Sequence, residues 1–386
     1  MVLVTVGLVM VYSASSASAV LDRRNPLALV TKQALAACIG VALYLALSRM
    51  RPGAIRRLGA PLLLASLVSL IVVLIPGIGI KANGARRWID LGITQFQPSE
   101  LAKLALVLWI ADVCTRRRGN VEIAIPLMVT GLLTVLVMAE PDLGTTLVLT
   151  LTATTMLFVA GANAKHIIRL LAGGALAVAI VIATVPYMQS RLLAFIDPWS
   201  KAEGSGFQTV HSIMAIGSGG WFGVGPGNGI LKISYLPEAH TDMIAATIGE
   251  EFGMVGFGAI IALFALYVLA GYRVAVTART PGERLIAAGL TTVVGVQAGI
   301  NLGAVLGLLP ITGIPLPFIS YGGTSLVVFL SVSGILVNIG RAASAPAGGR
   351  SGARNSASAR RHRGRRDSGA RHAGTGGGRR TTPAWR

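Results

Sequence analysis

Apolar runs of about 20 residues recur from one end of this chain to the other, and each is long enough to cross the hydrocarbon core of a bilayer. They lie at about 1–17, 28–48, 60–79, 97–114, 121–139, 142–161, 167–187, 243–272, 284–309 and 318–340. The 386 residues are 53% hydrophobic and only 13% charged, and mean hydropathy is +0.69. No ordinary soluble domain has that balance. The runs are continuous and do not alternate, which argues against a β-barrel. The expected class is therefore all-α: a polytopic membrane protein of about ten transmembrane helices. The first run could be a signal-peptide core, but it lacks a basic flank and further runs follow at once. It reads as a first span, of a chain expected to begin earlier.

The net charge of +19 is unevenly spread. Twelve arginines follow Gly340, among Gly, Ala and Ser. Residues 341–386 cannot bury a core and are expected to form a disordered basic cytoplasmic tail behind a transmembrane domain of 1–340. Such a tail fixes topology or is drawn to anionic headgroups. In the body, Arg49, Arg51, Arg56 and Arg57, then Arg116, Arg117 and Arg118, then Lys165 and Arg169, then Arg273, Arg279 and Arg284 follow alternate runs. The positive-inside rule puts these loops and both termini in the cytoplasm. The other loops face outward, including a large extracytoplasmic loop, 188–242, between spans seven and eight. They hold Arg23, Arg24, Lys81, Arg86, Arg87, Arg191, Lys201 and Lys232 against the rule's bias. An anionic ligand explains that charge better than topology does. The polar chemistry then faces a side without ATP, so neither a nucleotide cofactor nor nucleic acid is expected. Cys38 and Cys114 lie far apart in apolar runs and read as packing residues.

The densest ionisable stretch is 233–251, with Glu238, His240, Asp242, Glu250 and Glu251. Ionisable groups at the mouth of a membrane helix are costly and mark a candidate functional site. Asp242 also reads as the N-cap of the span that follows. On residue type alone, Glu238, His240, Glu250 and Glu251 stay open beside it as the working base. Glu100 and Lys103 open the fourth run at a spacing that puts them on one helix face, either as a functional pair or as an ion pair holding helices in register. Arg86, Arg87 and Trp88 read as an interfacial belt or as a clamp for a pyrophosphate. Glu140 and Asp142 read as a divalent-cation site or as a tight turn capped by Asp142. The glycine-rich stretch 217–229 has no G-K-[ST] and is no P-loop; it reads as a re-entrant or packed segment allowing close backbone approach. Residues 309–325 break the helix between the last two runs and are assigned shape, not acid–base work.

Taken in order, MVYSAS (10–15), NGARRWIDLG (83–92), FQPSELAKLA (96–105), EPDLGT (140–145), IGSGGWFGVG (216–225), YLPEAHTD (235–242) and PLPFISYGG (315–323) resemble the SEDS family, the FtsW/RodA polymerases of peptidoglycan strands. YLPEAHTD and Lys232 look more like its division branch than its elongation branch. The family's usual Phe-Ile-Phe after HTD is here Met243-Ile244-Ala245. The resemblance implies the SEDS fold and an inverting glycosyltransferase that polymerises lipid II on the outer face of the bacterial cytoplasmic membrane, at the septum for the division branch. It implies that Asp242 is the essential aspartate, with Glu100 and Lys103 as the family's required pair. Arg86, Arg87, Lys232, His240 and Glu238 would bind substrate, and a divalent cation, Mg or Mn, at Glu140 and Asp142 would steady the leaving pyrophosphate. The implied partners are a class B penicillin-binding transpeptidase and other divisome membrane proteins. The competing readings are an elongation polymerase, a lipid II flippase and a scaffold without activity.

Overall fold

A computed structural model describes residues 1–21, 25–82, 85–92, 94–116, 123–234 and 236–344. Arg23, Arg24, Asn83, Gly84, Arg117, Arg118, Tyr235 and the tail beyond Ser344 lie outside the described residues. In chain order the helices are α1 (Val2–Leu21), α2 (Ala28–Arg49), α3 (Pro52–Arg57), α4 (Gly59–Leu74), α5 (Pro98–Arg116), α6 (Ala124–Ala139), α7 (Leu143–Val159), α8 (Ala164–Thr184), α9 (Pro186–Ile196), α10 (Phe207–Gly219), α11 (Leu231–Ser234), α12 (Ile244–Thr277), α13 (Pro281–Val305) and α14 (Gly323–Ser344). Among the described residues, six helical stretches are long and apolar enough to cross a membrane: α2, α3 with α4, α8, α12, α13 and α14. Three shorter apolar helices coincide with α1, α6 and α7. The helix boundaries follow local signals. At α13, Thr280-Pro281-Gly282-Glu283 is a capping sequence: the Thr280 hydroxyl accepts from Glu283 N–H and proline fills the first turn.

Burial is inverted relative to hydropathy. The highly apolar α8 has no buried residue. The less apolar α13 is 83% buried over its central window, and thirteen of the nineteen residues of α5 are buried, among them Glu100, Lys103 and Asp112. Lipid is as apolar as leucine, so the outermost helices can be leucine-like throughout. Polar side chains must find partners inside the bundle. Accordingly α13 lies against α5, α7 and α12, and forms the core of the unit Met1–Ala343.

One expectation needs correction. The run 60–79 does not stay helical: α4 stops at Leu74 before Pro76, and the following residues form a small antiparallel sheet of β1 (Gly79–Ala82), β2 (Ala85–Asp90) and β3 (Gln95–Phe96) in the order β1-β2-β3. The loop between spans seven and eight is largely helical, with α10 packed on α12 and α13. At the far end, α14 runs to Ser344.

The glycine-rich segment is a backbone splint for a broken helix. Gly253 interrupts α12 at φ 65°, ψ −165°, a conformation open in practice only to glycine. The freed backbone groups need partners, because no water reaches them in a bilayer. Residues 220–225 supply them: Val224 and Gly225 N–H donate to the carbonyls of Glu250 and Glu251, and Met254 and Val255 N–H donate to those of Gly220 and Trp221. Contact this close leaves no room for a β-carbon. One on Gly223, itself at φ +83°, would lie 2.1 Å from Glu251 O. Gly223→Ala is therefore expected to lower the melting temperature in detergent by several degrees. Gly258→Ala, on the same helix but with nothing within 4 Å of its β-carbon, is expected to leave it unchanged or raise it slightly.

Candidate functional site

Asp242 lies in the turn before α12, whose N-cap is Met243, so the helix cap expected at Asp242 does not form; the residue is 8% exposed. Two non-helical segments meet around it. Asn301, on α13, donates one amide proton to Asp242 O at 2.8 Å and the other to Ile314 O at 2.9 Å. One turn earlier on the same face of α13, Gln297 donates to Pro315 O at 2.9 Å. Gln297 Oε1 accepts from Lys103 Nζ, which also pairs with Glu100 at 2.8 Å and lies over the Phe329 ring. A chain of polar contacts thus runs from α5 through α13 to the segment 314–322. That segment is pinned again by Gln33 of α2, which donates to Ser320 O and accepts from Gly322 N–H. Tyr321 N–H donates to His240 O at 2.8 Å.

Gly313, at φ +74°, forms the floor between the acid and a base. A β-carbon there would lie 3.8 Å from Arg87 Nη1 and 4.0 Å from Asp242 Oδ2. Arg87 is fixed by two carbonyls and not by a carboxylate. Its Nε donates to Glu140 O at 3.0 Å and its Nη2 to Pro141 O, so its charge is not cancelled by a salt bridge at those contacts. Arg191 of α9 donates to Ile311 O at 2.7 Å in the same segment. A cavity beside it is lined by Pro141, Leu143, Ile182, Met188, Pro310 and Thr312. Burial, helped by the nearby Glu238 carboxylate, pushes Asp242 up to about 6, and Arg191 opposes that rise. A carboxylate tuned upward beside two arginines can take a proton near neutral pH and hold negative charge close by.

The chain can now be set beside known proteins. Residues 1–345 match the profile of the family FTSW_RODA_SPOVE, described as cell cycle protein. The chain belongs to this family. A protein of Geobacter sulfurreducens named probable peptidoglycan glycosyltransferase FtsW is 40% identical over 341 residues, covering 86% of this chain and 91% of that one. Stage V sporulation protein E of Bacillus subtilis is 37% identical over 349 residues, covering 88% and 94%. Among solved structures, a chain of a peptidoglycan synthase complex matches with a TM-score of 0.72 at 32% identity, covering 89% of this chain and 97% of that one. The rod shape determining protein RodA of Thermus thermophilus matches with a TM-score of 0.65 at 29% identity, covering 89% and 95%. The all-α polytopic SEDS fold expected from the motifs is the fold observed.

Not every residue singled out in the sequence reaches this site. Asp242, Glu238 and Arg87 do. Glu238 is exposed, at φ 57°, with its Oε2 2.9 Å from the Thr241 hydroxyl, which lies 3.3 Å from Asp242 Oδ1. His240 contributes its carbonyl and a ring stacked near Tyr321. Burial lowers its pKa, which favours a neutral ring over an anion-binding cation. Arg86 precedes Arg87 on β2, at a register shift that leaves Arg87 the extra residue of a bulge opposite Ile80 and Lys81. Glu100 and Lys103 are each 1% exposed and act on the site through Gln297, as supports. Lys232 is a larger correction. It is 4% exposed and bonded to Glu251, Ser13 and Gly227, so it presents no face to a substrate.

Glu140 and Asp142, the two residues expected to hold a cation, are both buried at the turn between α6 and α7. Asp142 caps α7, its oxygens accepting from the N–H and hydroxyl of Thr145 at 3.0 and 2.8 Å. Glu140 is fully buried with neither carboxylate oxygen hydrogen-bonded, and burial, then Asp142, push it up to about 9. Among the described residues no three His, Cys, Asp or Glu side chains gather as a metal set.

Asn301, Gln297, Arg191 and Gly313 went unremarked as site residues in the sequence. The first two carried a readable signal, two amides at i and i+4 in an otherwise apolar run. Asn301→Ala strands two buried carbonyls, and is expected to cost about 2 kcal/mol or more of stability. Thermal unfolding in detergent measures the loss, and activity should fall with it because Asp242 loses its anchor.

Proposed function

We propose that this chain polymerises lipid II, a disaccharide-peptide on an undecaprenyl pyrophosphate, into glycan strands at the outer face of the bacterial cytoplasmic membrane. The convergence of Asp242 Oδ2 and Arg87 Nη1 on the floor at Gly313 carries this reading. Glycosyl transfer from a lipid pyrophosphate needs a base for the acceptor hydroxyl and a positive site for the leaving group. Asp242 takes the proton of the acceptor GlcNAc 4-hydroxyl as that oxygen attacks the anomeric carbon of the donor MurNAc with inversion. The bond to the pyrophosphate breaks, and Arg87 and Arg191 face the charge that develops on it. These steps use only side chains of this chain. The flippase reading asks for ionisable groups along a path. Glu100 and Lys103 instead pair with each other through one carboxylate oxygen, and Lys103 with Gln297, inside the bundle.

The relatives named FtsW support a role in septal synthesis, and the solved synthase complex supports a class B penicillin-binding transpeptidase and other divisome proteins as partners. With both termini in the cytoplasm, the turn bearing Asp242 opens on the opposite side, where lipid II is consumed. The purified chain with its transpeptidase and lipid II should yield glycan strands. Asp242→Ala should abolish them, whereas Glu238→Ala should retain them; the reverse pattern would move the base to Glu238. Because the base must enter unprotonated, kcat/KM should fall as pH drops below about 6. A flat profile there would rule out Asp242 as the base.

A further inference from the structure

Residues 232–234 and 236–243 form an arch that carries Asp242 between two feet. The far foot is α12 itself, with Asn301 gripping the Asp242 carbonyl. The near foot is the short α11, and it is held by two consecutive acids of α12. Glu250 Oε1 accepts from Ile230 and Leu231 N–H at 2.7 and 3.1 Å, the leading edge of α11. Glu251 Oε1 pairs with Lys232 Nζ at 2.5 Å, and Glu251 Oε2 accepts from Gly227 N–H at 3.0 Å. Ser13 of α1 closes the knot, donating to Glu251 Oε1 at 2.5 Å and accepting from Lys232 Nζ at 2.9 Å. Both feet of the arch therefore stand on the outer turns of one helix.

A buried ion pair is a poor source of stability, because desolvating two charges offsets most of their attraction. What such a pair supplies is register: it is satisfied in one arrangement only. Lys232 and Glu251 are 4% and 1% exposed, which leaves substrate binding out for both. Leu236 and Ala239, inside the arch, are buried, so displacing the near foot would drag the whole turn.

We infer that Lys232 and Glu251, with Ser13, form a buckle that sets the position of Asp242 over Gly313, making them positioning residues for glycosyl transfer. This rests on the polymerase reading above. It also gives Glu250 and Glu251, the last acids of the ionisable stretch 233–251, a use apart from the HTD motif. The surroundings of the carboxylate provide the readout. Glu238 on the arch, Arg191 on α9 and Arg87 on β2 are the charged groups around it, with His240 nearby and neutral. Burial is the main cause of its raised pKa, so an arch that loosens admits water and lets that pKa fall.

The test is the double variant Lys232→Met/Glu251→Met, which removes both charges together and so avoids stranding either one in the bundle. Full-length wild type and variant are each purified with the partner transpeptidase and assayed on lipid II from pH 4.5 to 8, with melting temperatures recorded in the same detergent. The expected result is a melting temperature within a few degrees of wild type and kcat/KM lower by about tenfold or more. The acid limb of the profile should also move from about 6 toward the ordinary carboxylate range. Unchanged kcat/KM with an unmoved limb overturns the inference. So does a rate loss that only tracks a lower melting temperature with the limb in place. Absence of strands from wild type would instead count against the polymerase reading itself, which keeps the two failures apart.

Discussion

One side-chain amide joins the two irregular segments on which this fold depends. Asn301 holds the carbonyls of Asp242 and Ile314. Neither segment is helical at that point, and in a bilayer a backbone carbonyl outside a helix has no water to turn to. An amide with two protons solves both problems with one residue, and in doing so fixes the carboxylate against the floor at Gly313. Gln297 and the Glu100–Lys103 pair extend the same support inward. The polar interior of the bundle is a scaffold for the backbone around the site, and the chemistry is left to groups at its outer edge.

That division of labour explains why charge is so unevenly used. Lys103 and Lys232 are buried and paired with carboxylates, whereas Arg87 is held by neutral carbonyls. The first arrangement cancels charge and fixes geometry; the second fixes geometry and keeps the charge available. Arginine suits the second because its planar fork can dock by two nitrogens and still present a third. The same contrast separates the acids. Asp142 is spent as a helix cap, Glu251 is paired, and Asp242 is left with a raised affinity for a proton.

Much of this was legible in the sequence. The apolar runs marked the helices because bilayer thickness sets their length, and the glycine-rich stretch read as a close-packed segment because glycine alone permits such contact. The motifs gave the family. What was not legible came from partners distant in sequence. Lys232 looked like a substrate clamp because nothing near it in the chain announces Glu251 and Ser13 as its partners. Arg87 read as one of two equal arginines, and nothing nearby in the chain announces the Glu140 and Pro141 carbonyls that fix it. The hairpin after α4 begins where the apolar run 60–79 ends, past the break at Pro76 and Gly77. Arg191 stood out only as a charge in a loop; its place near Asp242 depends on α9, which hydropathy alone does not reveal.

The splinted break in α12 bears on how the protein is made. Residues 217–229 precede α12 in the chain, so during synthesis the splint emerges from the ribosome before the helix that needs it. Neither segment is satisfied alone: residues 220–225 and the break in α12 complete each other's backbone hydrogen bonds. The two therefore form one unit of backbone, and neither can leave the other without exposing bare peptide groups to lipid.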